Sequence, residues 1–379
     1  MSAAASKQEH GPVAASFAGR GFAEIGARAG YRHARGIHCG STALRNLLAA
    51  RGLELSEALV FGLGAGLGFS LHDGARGLVP PLPERFFVGR SLSFEEDLCA
   101  AIGAQLEVLR FESPQAAWSD ARARIARGQG PLAYVDLMEL PYLGAHGHWY
   151  GHLIALAGAL GAGERESVLV GDNERAELQE VPLPAMLAAF SAASPAPSDE
   201  KVLLAIGGVH ALSAAELREA CARALWLQGR RLRDSSPRDL QVWRGAPALG
   251  FLAGEPALRA FPDEIRAWAG AADLARRLKF GAQVIEVRGN GGGLFRRLYA
   301  TFLEEAAALG VAQAAPLIPL CLRAADAFTA LAVELERLRA QAQSADGLHA
   351  NDLELQGAAA LAAQVRDAEL ALWAGLPAA

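Results

Sequence analysis

Residues 152–172 read HLIALAGALGAGERESVLVGD, two apolar runs on either side of a glycine-rich, charged link. Short apolar runs joined in this way spell a β-hairpin. The midpoint of His152 and Asp172 falls on Ala162, inside the link, so strands paired about that centre set the imidazole opposite the carboxylate on one face. A carboxylate beside an imidazole fixes its tautomer and stabilises the imidazolium, which is how a base that serves a thiol is oriented.

A suitable thiol stands upstream in Ile37-His38-Cys39-Gly40-Ser41. The following STALRNLLAA, Ser41 to Ala50, places apolar residues at Ala43, Leu44, Leu47 and Leu48 and closes at Gly52, so it reads as a buried helix that begins just after Cys39. A cysteine just before a helix points its sulfur at unpaired amides and the positive end of the helix dipole. That position stabilises a thiolate and supplies oxyanion donors. Any one of these residues alone has a bland reading: a small buried cysteine, an edge histidine, a turn aspartate. The chain order of Cys at a helix start, His at a strand start and Asp at the end of its paired strand is papain-like.

Around this core the first half alternates helix and strand. Ser56 to Gly62 reads as a short helix, Ser93 with Glu96 as a capping box, Gln105 to Phe111 as a strand, Ser113-Pro114 as a helix start, and PLAYVDLM from Pro131 as a strand. AASPAPSDE, Ala192 to Glu200, reads as the boundary between a catalytic domain over 1–195 and a mostly helical domain over 196–379. Beyond it LLAIGG near Leu203 reads as a connecting strand. A second capping box, Ser213 with Glu216, opens a helix to about Arg230, and helical periodicity recurs over Pro262–Leu278, Gly293–Ala308, Leu317–Gln343 and Leu353–Leu372. The expected fold class is α/β of the α+β kind, a papain-like fold with a helical C-terminal domain.

Composition agrees with a folded protein. The 379 residues carry 36 Lys plus Arg against 41 Asp plus Glu, a net charge of −5 that argues against nucleic acid. Hydrophobic residues make up 52% and charged residues 20%, which excludes disorder. The apolar run near His152–Leu160 is too short to span a membrane, and Lys7 and Glu9 interrupt any export signal, so a cytoplasmic location is expected. Cys39, Cys99, Cys221 and Cys321 form no CxxC pair, and His146, His148 and His152 lack the HExxH pattern, so neither zinc nor a disulfide framework is expected. Gly62, Gly64, Gly66 and Gly68 lack a nucleotide-loop spacing and read as close backbone packing.

The stretches HCGSTALRNLLAARGLELSEALVFGLGAGLGF, VDLMELPY and HWYGHLIALAGA…VLVGDN resemble the N-terminal domain of the butirosin biosynthesis protein H family, and RGNGGGLFRRLYATFLEEAA from Arg288 resembles the helical domain that often follows it. That family is similar to papain-like cysteine peptidases, including the branch that cleaves bacteriocin leaders. Its namesake moves an aminoacyl group from a carrier-protein thioester to an aminoglycoside amine. The resemblance implies Cys39 as nucleophile, His152 as general base and Asp172 as its orienter. It also implies an acyltransferase of natural-product biosynthesis with no cofactor beyond a phosphopantetheine-linked donor, and with an acyl carrier protein or acyl thioester and a small amine as partners. The peptidase branch has a Gln six residues before its Cys where this chain has His33, which leaves open whether His33 or a backbone pair completes the oxyanion hole.

Further candidates for substrate contact are His38 beside the nucleophile, His148 at the pocket rim, Asp136 and Glu57 as amine-recognising carboxylates, and Arg296, which follows the glycine turn GNGGG and suits a phosphopantetheine phosphate. The C-terminal Leu- and Ala-rich helices read as bundle or homodimer core. Two other functions share these residues: a cysteine peptidase or amidase, and a non-catalytic carrier-binding protein.

Overall fold

The computed structural model describes residues 24–25, 31–73, 82–149, 151–191, 201–233, 242, 252–344 and 355–377. In chain order the first half contains β1 (Glu24–Ile25), α1 (Cys39–Ala49), α2 (Glu57–Leu63), β2 (Leu67–Asp73), β3 (Arg85–Arg90), α3 (Phe94–Ala101), β4 (Gln105–Phe111), α4 (Pro114–Ala126), β5 (Leu132–Val135), β6 (His152–Leu160), β7 (Ser167–Gly171), β8 (Gln179–Pro182) and α5 (Leu183–Phe190). The second half contains β9 (Lys201–Gly207), α6 (Ala214–Arg233), β10 (Leu252–Ala253), α7 (Gly254–Arg266), α8 (Leu274–Glu286), α9 (Arg296–Ala308), α10 (Ile318–Ser344) and α11 (Gln356–Gly375). The class is α+β, as the sequence indicates.

Seven strands form one antiparallel sheet in the order β4-β9-β5-β6-β7-β8, with β1 added to β6. Alternate residues of its central strands serve two cores, because side chains along a strand point to opposite faces. Tyr134, Leu153 and Ala155 join α1, α2 and the C-terminal helices in one core, whereas Ala133, Ile154 and Leu156 meet Trp118, Ala121 and Ile125 of α4 and Met186 and Phe190 of α5 in the other. A smaller sheet, β10-β2-β3, carries Phe69 and Phe87 against Phe261 of α7.

Three features depart from the sequence reading. The strand after residue 200 does not merely connect: β9 lies between β4 and β5, so a segment beyond the expected boundary at 195 completes the large sheet. The stretch Ala192–Glu200 itself lies outside the described residues. Pro262–Leu278 is two helices, since α7 ends at Arg266, with Pro262 inside it, and α8 begins at Leu274. Ser93 is the N-cap of α3 without a capping bond. Its hydroxyl donates to Asp97 (2.6 Å) and Glu96 accepts from the distant Val242 amide (3.0 Å), so the local box is not made. The Ser213–Glu216 box is made reciprocally, at 2.8 and 3.3 Å.

Gly62 lets α2 lie directly on α9, because a methyl group there would overlap the Phe302 ring. By composition Ala315–Ala342 is long and apolar enough to cross a membrane, with a mean hydropathy of 1.5. Its apolar positions Ala324, Phe328, Leu331 and Leu335 are nevertheless buried in the core formed with the rest of the chain.

Candidate active site

Cys39 is the first residue of α1, and His38 is the N-cap. The cap closes the helix start from inside: the His38 Nδ1 accepts from the Ser41 amide (3.2 Å) and its carbonyl accepts from the Thr42 amide (2.9 Å). The first-turn amides of Cys39 and Gly40 receive no acceptor among the described residues and stand free beside the sulfur. Outside the turn, Glu57 at the start of α2 gathers its donors. It accepts from the Ile37 and His38 amides (both 2.9 Å), the Ser41 hydroxyl (2.8 Å) and the Thr42 hydroxyl (3.0 Å), with Arg45 at 3.7 Å. Glu57 is therefore committed to the Cys39 turn rather than open to a ligand amine.

The imidazole that meets Cys39 comes from the sheet. Val135 of β5 pairs with His152, the first residue of β6, and Asp172 follows directly on β7. The β6–β7 register places Ala155 against Gly171, with the hairpin axis at that end on Gly163 rather than at Ala162. His152 is thus a diagonal neighbour of Asp172, not its direct opposite, and still reaches it: Nε2 to Asp172 Oδ2 is 2.8 Å. The same oxygen accepts from the Tyr142 hydroxyl (2.6 Å), and Oδ1 accepts from the Glu174 amide (2.9 Å). With Nε2 on the carboxylate, Nδ1 of His152 is the nitrogen left for Cys39.

Electrostatics follow from this series. Burial alone would raise the Cys39 thiol, but the His38 and His152 imidazoles beside it hold it well below the usual thiol range. Burial would lower His152, and the Asp172 charge and hydrogen bond outweigh it, lifting the imidazole to about 10. Burial likewise opposes ionisation of Asp172, yet His152 brings the carboxyl down to about 2. These directions favour a thiolate on Cys39, an imidazolium on His152 and a carboxylate on Asp172. Cys99, Cys221 and Cys321 are all raised, burial being the first cause, and are ordinary buried thiols.

The other residues singled out by sequence are distributed differently. His33 gives Nε2 to the Arg175 carbonyl (2.9 Å) and takes the Asn46 amide on Nδ1 (3.2 Å). Both ring nitrogens are used to brace the loop after Asp172, so neither is offered to an oxyanion. His38 is turned inward, its ring packed edge-on against Phe61, Phe94 and Phe295 at 5.2 to 6.1 Å, and so presents no face to a substrate. Asp136 and His148 pair with one another (Oδ2 to Nδ1, 2.6 Å) at the same end of the sheet as His152. Arg296 is not open to a ligand. It is wholly buried with all of its N–H groups taken by Glu369 (2.8 and 2.7 Å) and the carbonyls of Gly68, Gly89 and Leu294. No donor remains for a phosphate. Among the described residues no group of three or more His, Cys, Asp or Glu side chains is placed to hold a metal.

The helical half supplies a wall of the site that the sequence did not disclose. Gly291, Gly292, Gly293, Leu294 and Phe295 all have positive φ (75°, 87°, 56°, 52° and 73°), and this turn abuts Ile37 and His38. Holding Leu294 and Phe295 left-handed costs of order 1 to 3 kcal/mol each. Arg296 secures the turn from behind by bonding the Leu294 carbonyl (2.6 Å), and Phe295 meets the His38 ring edge-on at 5.2 Å.

Residues 38–173, which contain Cys39, His152 and Asp172, match the family described as "Butirosin biosynthesis protein H, N-terminal". Residues 186–376 match "Domain of unknown function (DUF4872)". No curated protein matches the chain. With one match following the other across nearly all the described structure, the chain joins a domain of the butirosin biosynthesis protein H N-terminal type to a DUF4872 domain and belongs to the DUF4872 family, whose match covers half of its length.

Proposed function

We propose that this biosynthesis-related protein is a cysteine-dependent acyltransferase that moves an acyl group from a carrier-protein or pantetheine thioester to a small amine. The observation that carries the reading is Cys39 at the first position of α1 beside His152, whose Nε2 lies 2.8 Å from Asp172 Oδ2. Cys39 Sγ attacks the thioester carbonyl, the amides of Cys39 and Gly40 receive the oxyanion, and the C–S bond to the donor breaks as His152 hands its proton to the leaving thiol. The amine then attacks the acyl-enzyme, a C–N bond forms, a proton passes from nitrogen to His152, and the Cys39 thiolate leaves. The papain-like character, the cytoplasmic location and the role in natural-product assembly belong to this same reading, supported by the family and by the helix-start thiol facing a sheet-borne His and Asp.

Intact-protein mass spectrometry tests it. The wild-type protein incubated with a panel of acyl-pantetheine thioesters should gain an acyl adduct that Cys39→Ala lacks, and an amine should discharge it as amide. Discharge by water at the same rate would instead make the protein a hydrolase. Absence of an adduct together with a slow, ordinary alkylation rate at Cys39 would leave a non-catalytic carrier-binding protein.

A further inference from the structure

A second carboxylate–imidazole pair stands one residue from the strand pairing that holds His152. Asp136 follows Val135, the partner of His152 in the β5–β6 ladder. Its carboxylate is fully buried and fixed on both oxygens: Oδ1 accepts from the Met138 amide (3.0 Å) and the Trp149 amide (2.9 Å), and Oδ2 holds the His148 Nδ1 at 2.6 Å. The Leu137 amide returns a bond to the Trp149 carbonyl (3.1 Å), which clips the His148 segment onto the end of β5. Nδ1 therefore faces the protein and Nε2 faces outward, on a side chain 35% exposed. His33 and His38 have no comparable outward nitrogen, being bonded on both sides or enclosed by aromatic rings.

The proton count of acyl transfer gives this pair work that His152 cannot do. An acceptor amine with an ordinary ammonium pKa arrives as R–NH3⁺ and loses two protons in becoming an amide. His152 transfers one proton to the leaving donor thiol during acylation and recovers one from the attacking nitrogen during aminolysis, so its own balance is closed by one of the two. We propose that His148 Nε2 is the second base, which takes the first proton from the bound ammonium and passes it to solvent, while Asp136 stabilises the imidazolium so formed. This rests on the acyl-transfer reading above and assigns the acceptor class: amines that are protonated at neutral pH.

The test uses the full chain, acylated on Cys39 by a pantetheine thioester and chased with either a primary alkylamine or hydroxylamine, which is already unprotonated at neutral pH. In His148→Gln the acylation rate should stay within about twofold, discharge by the alkylamine should slow by about 100-fold or more, and discharge by hydroxylamine should stay within about threefold. Asp136→Asn, whose amide oxygen can still accept the two backbone N–H groups, should show the same split with a smaller factor. Wild-type alkylamine discharge in His148→Gln, or equal slowing of both nucleophiles, would overturn the assignment and leave His148 a structural partner of Asp136. Failure of the wild-type protein to form any Cys39 adduct would instead overturn the acyl-transfer reading.

Discussion

Arg296→Met separates a structural guanidinium from a ligand-binding one. The wild-type side chain and Glu369 are both fully buried, joined through two bonds of 2.8 and 2.7 Å. Methionine fills much of the same volume but leaves the Glu369 carboxylate with only the Trp373 indole (2.9 Å), and deprives the Gly68, Gly89 and Leu294 carbonyls of their shared donor. Removing one member of a buried ion pair costs about 3 to 5 kcal/mol. With a urea slope of about 3 kcal/mol/M, this lowers the unfolding midpoint by roughly 1 to 1.7 M. Glu369→Leu alone should fall comparably, and the double variant should regain most of the loss, because a paired apolar replacement is close to neutral. Urea titrations of the four proteins by circular dichroism measure the cycle. A midpoint unmoved in Arg296→Met, coupled with a collapse in affinity for a pantetheine thioester, would refute the buried-anchor account and return Arg296 to the ligand.

Two further outcomes test the nucleophile's surroundings. Asp172→Asn removes the charge that lifts His152 to about 10. A raised histidine stabilises the fold fully below its ordinary 6.5 and loses that contribution as pH rises through about 10. Acylation, which needs the imidazolium, should therefore lose its alkaline limb at a lower pH in the variant, and an unmoved limb in a stopped-flow acylation profile would contradict the pairing. Glu57→Gln takes the charge from an acceptor serving four donors at the Cys39 turn. Loss of about 1.5 to 3 kcal/mol of charge-assisted bonding should reduce kcat by roughly 10- to 100-fold with little change in KM, and steady-state kinetics showing an intact kcat would remove Glu57 from the positioning of the turn.

Local chemistry was readable in the sequence wherever the residues concerned are near neighbours. The helix after Cys39, the Ser113 cap and the Ser213–Glu216 box depend on spacings of a few residues, and each is formed. The Ser93–Glu96 pair obeys the same spacing and fails, because Asp97 and the distant Val242 amide offer those side chains better partners. His152 and Asp172 were legible as a pair because they share one hairpin, though a bulge between Leu156 and Gly158 and the true axis of the link could not be counted from the sequence. Arg296 looked like a surface cation after a glycine turn. Its partner lies 73 residues away on α11, and no local pattern announces that. Tyr142 on Asp172, Glu57 under the Cys39 turn and Phe295 against His38 are likewise products of tertiary folding.

The left-handed turn 291–295 has a bearing on how the protein comes into being. A ribosome delivers Cys39 roughly 250 residues before Phe295 and 330 before Glu369, and synthesis at several residues per second makes that gap tens of seconds long. Until α11 is made, Arg296 has no carboxylate to close on, and the guanidinium that holds the Leu294 carbonyl of the turn lacks its counter-charge. The surroundings of Cys39 are therefore completed last from the far end of the chain: the wall against His38 leans on an ion pair whose second member stands on the final helix.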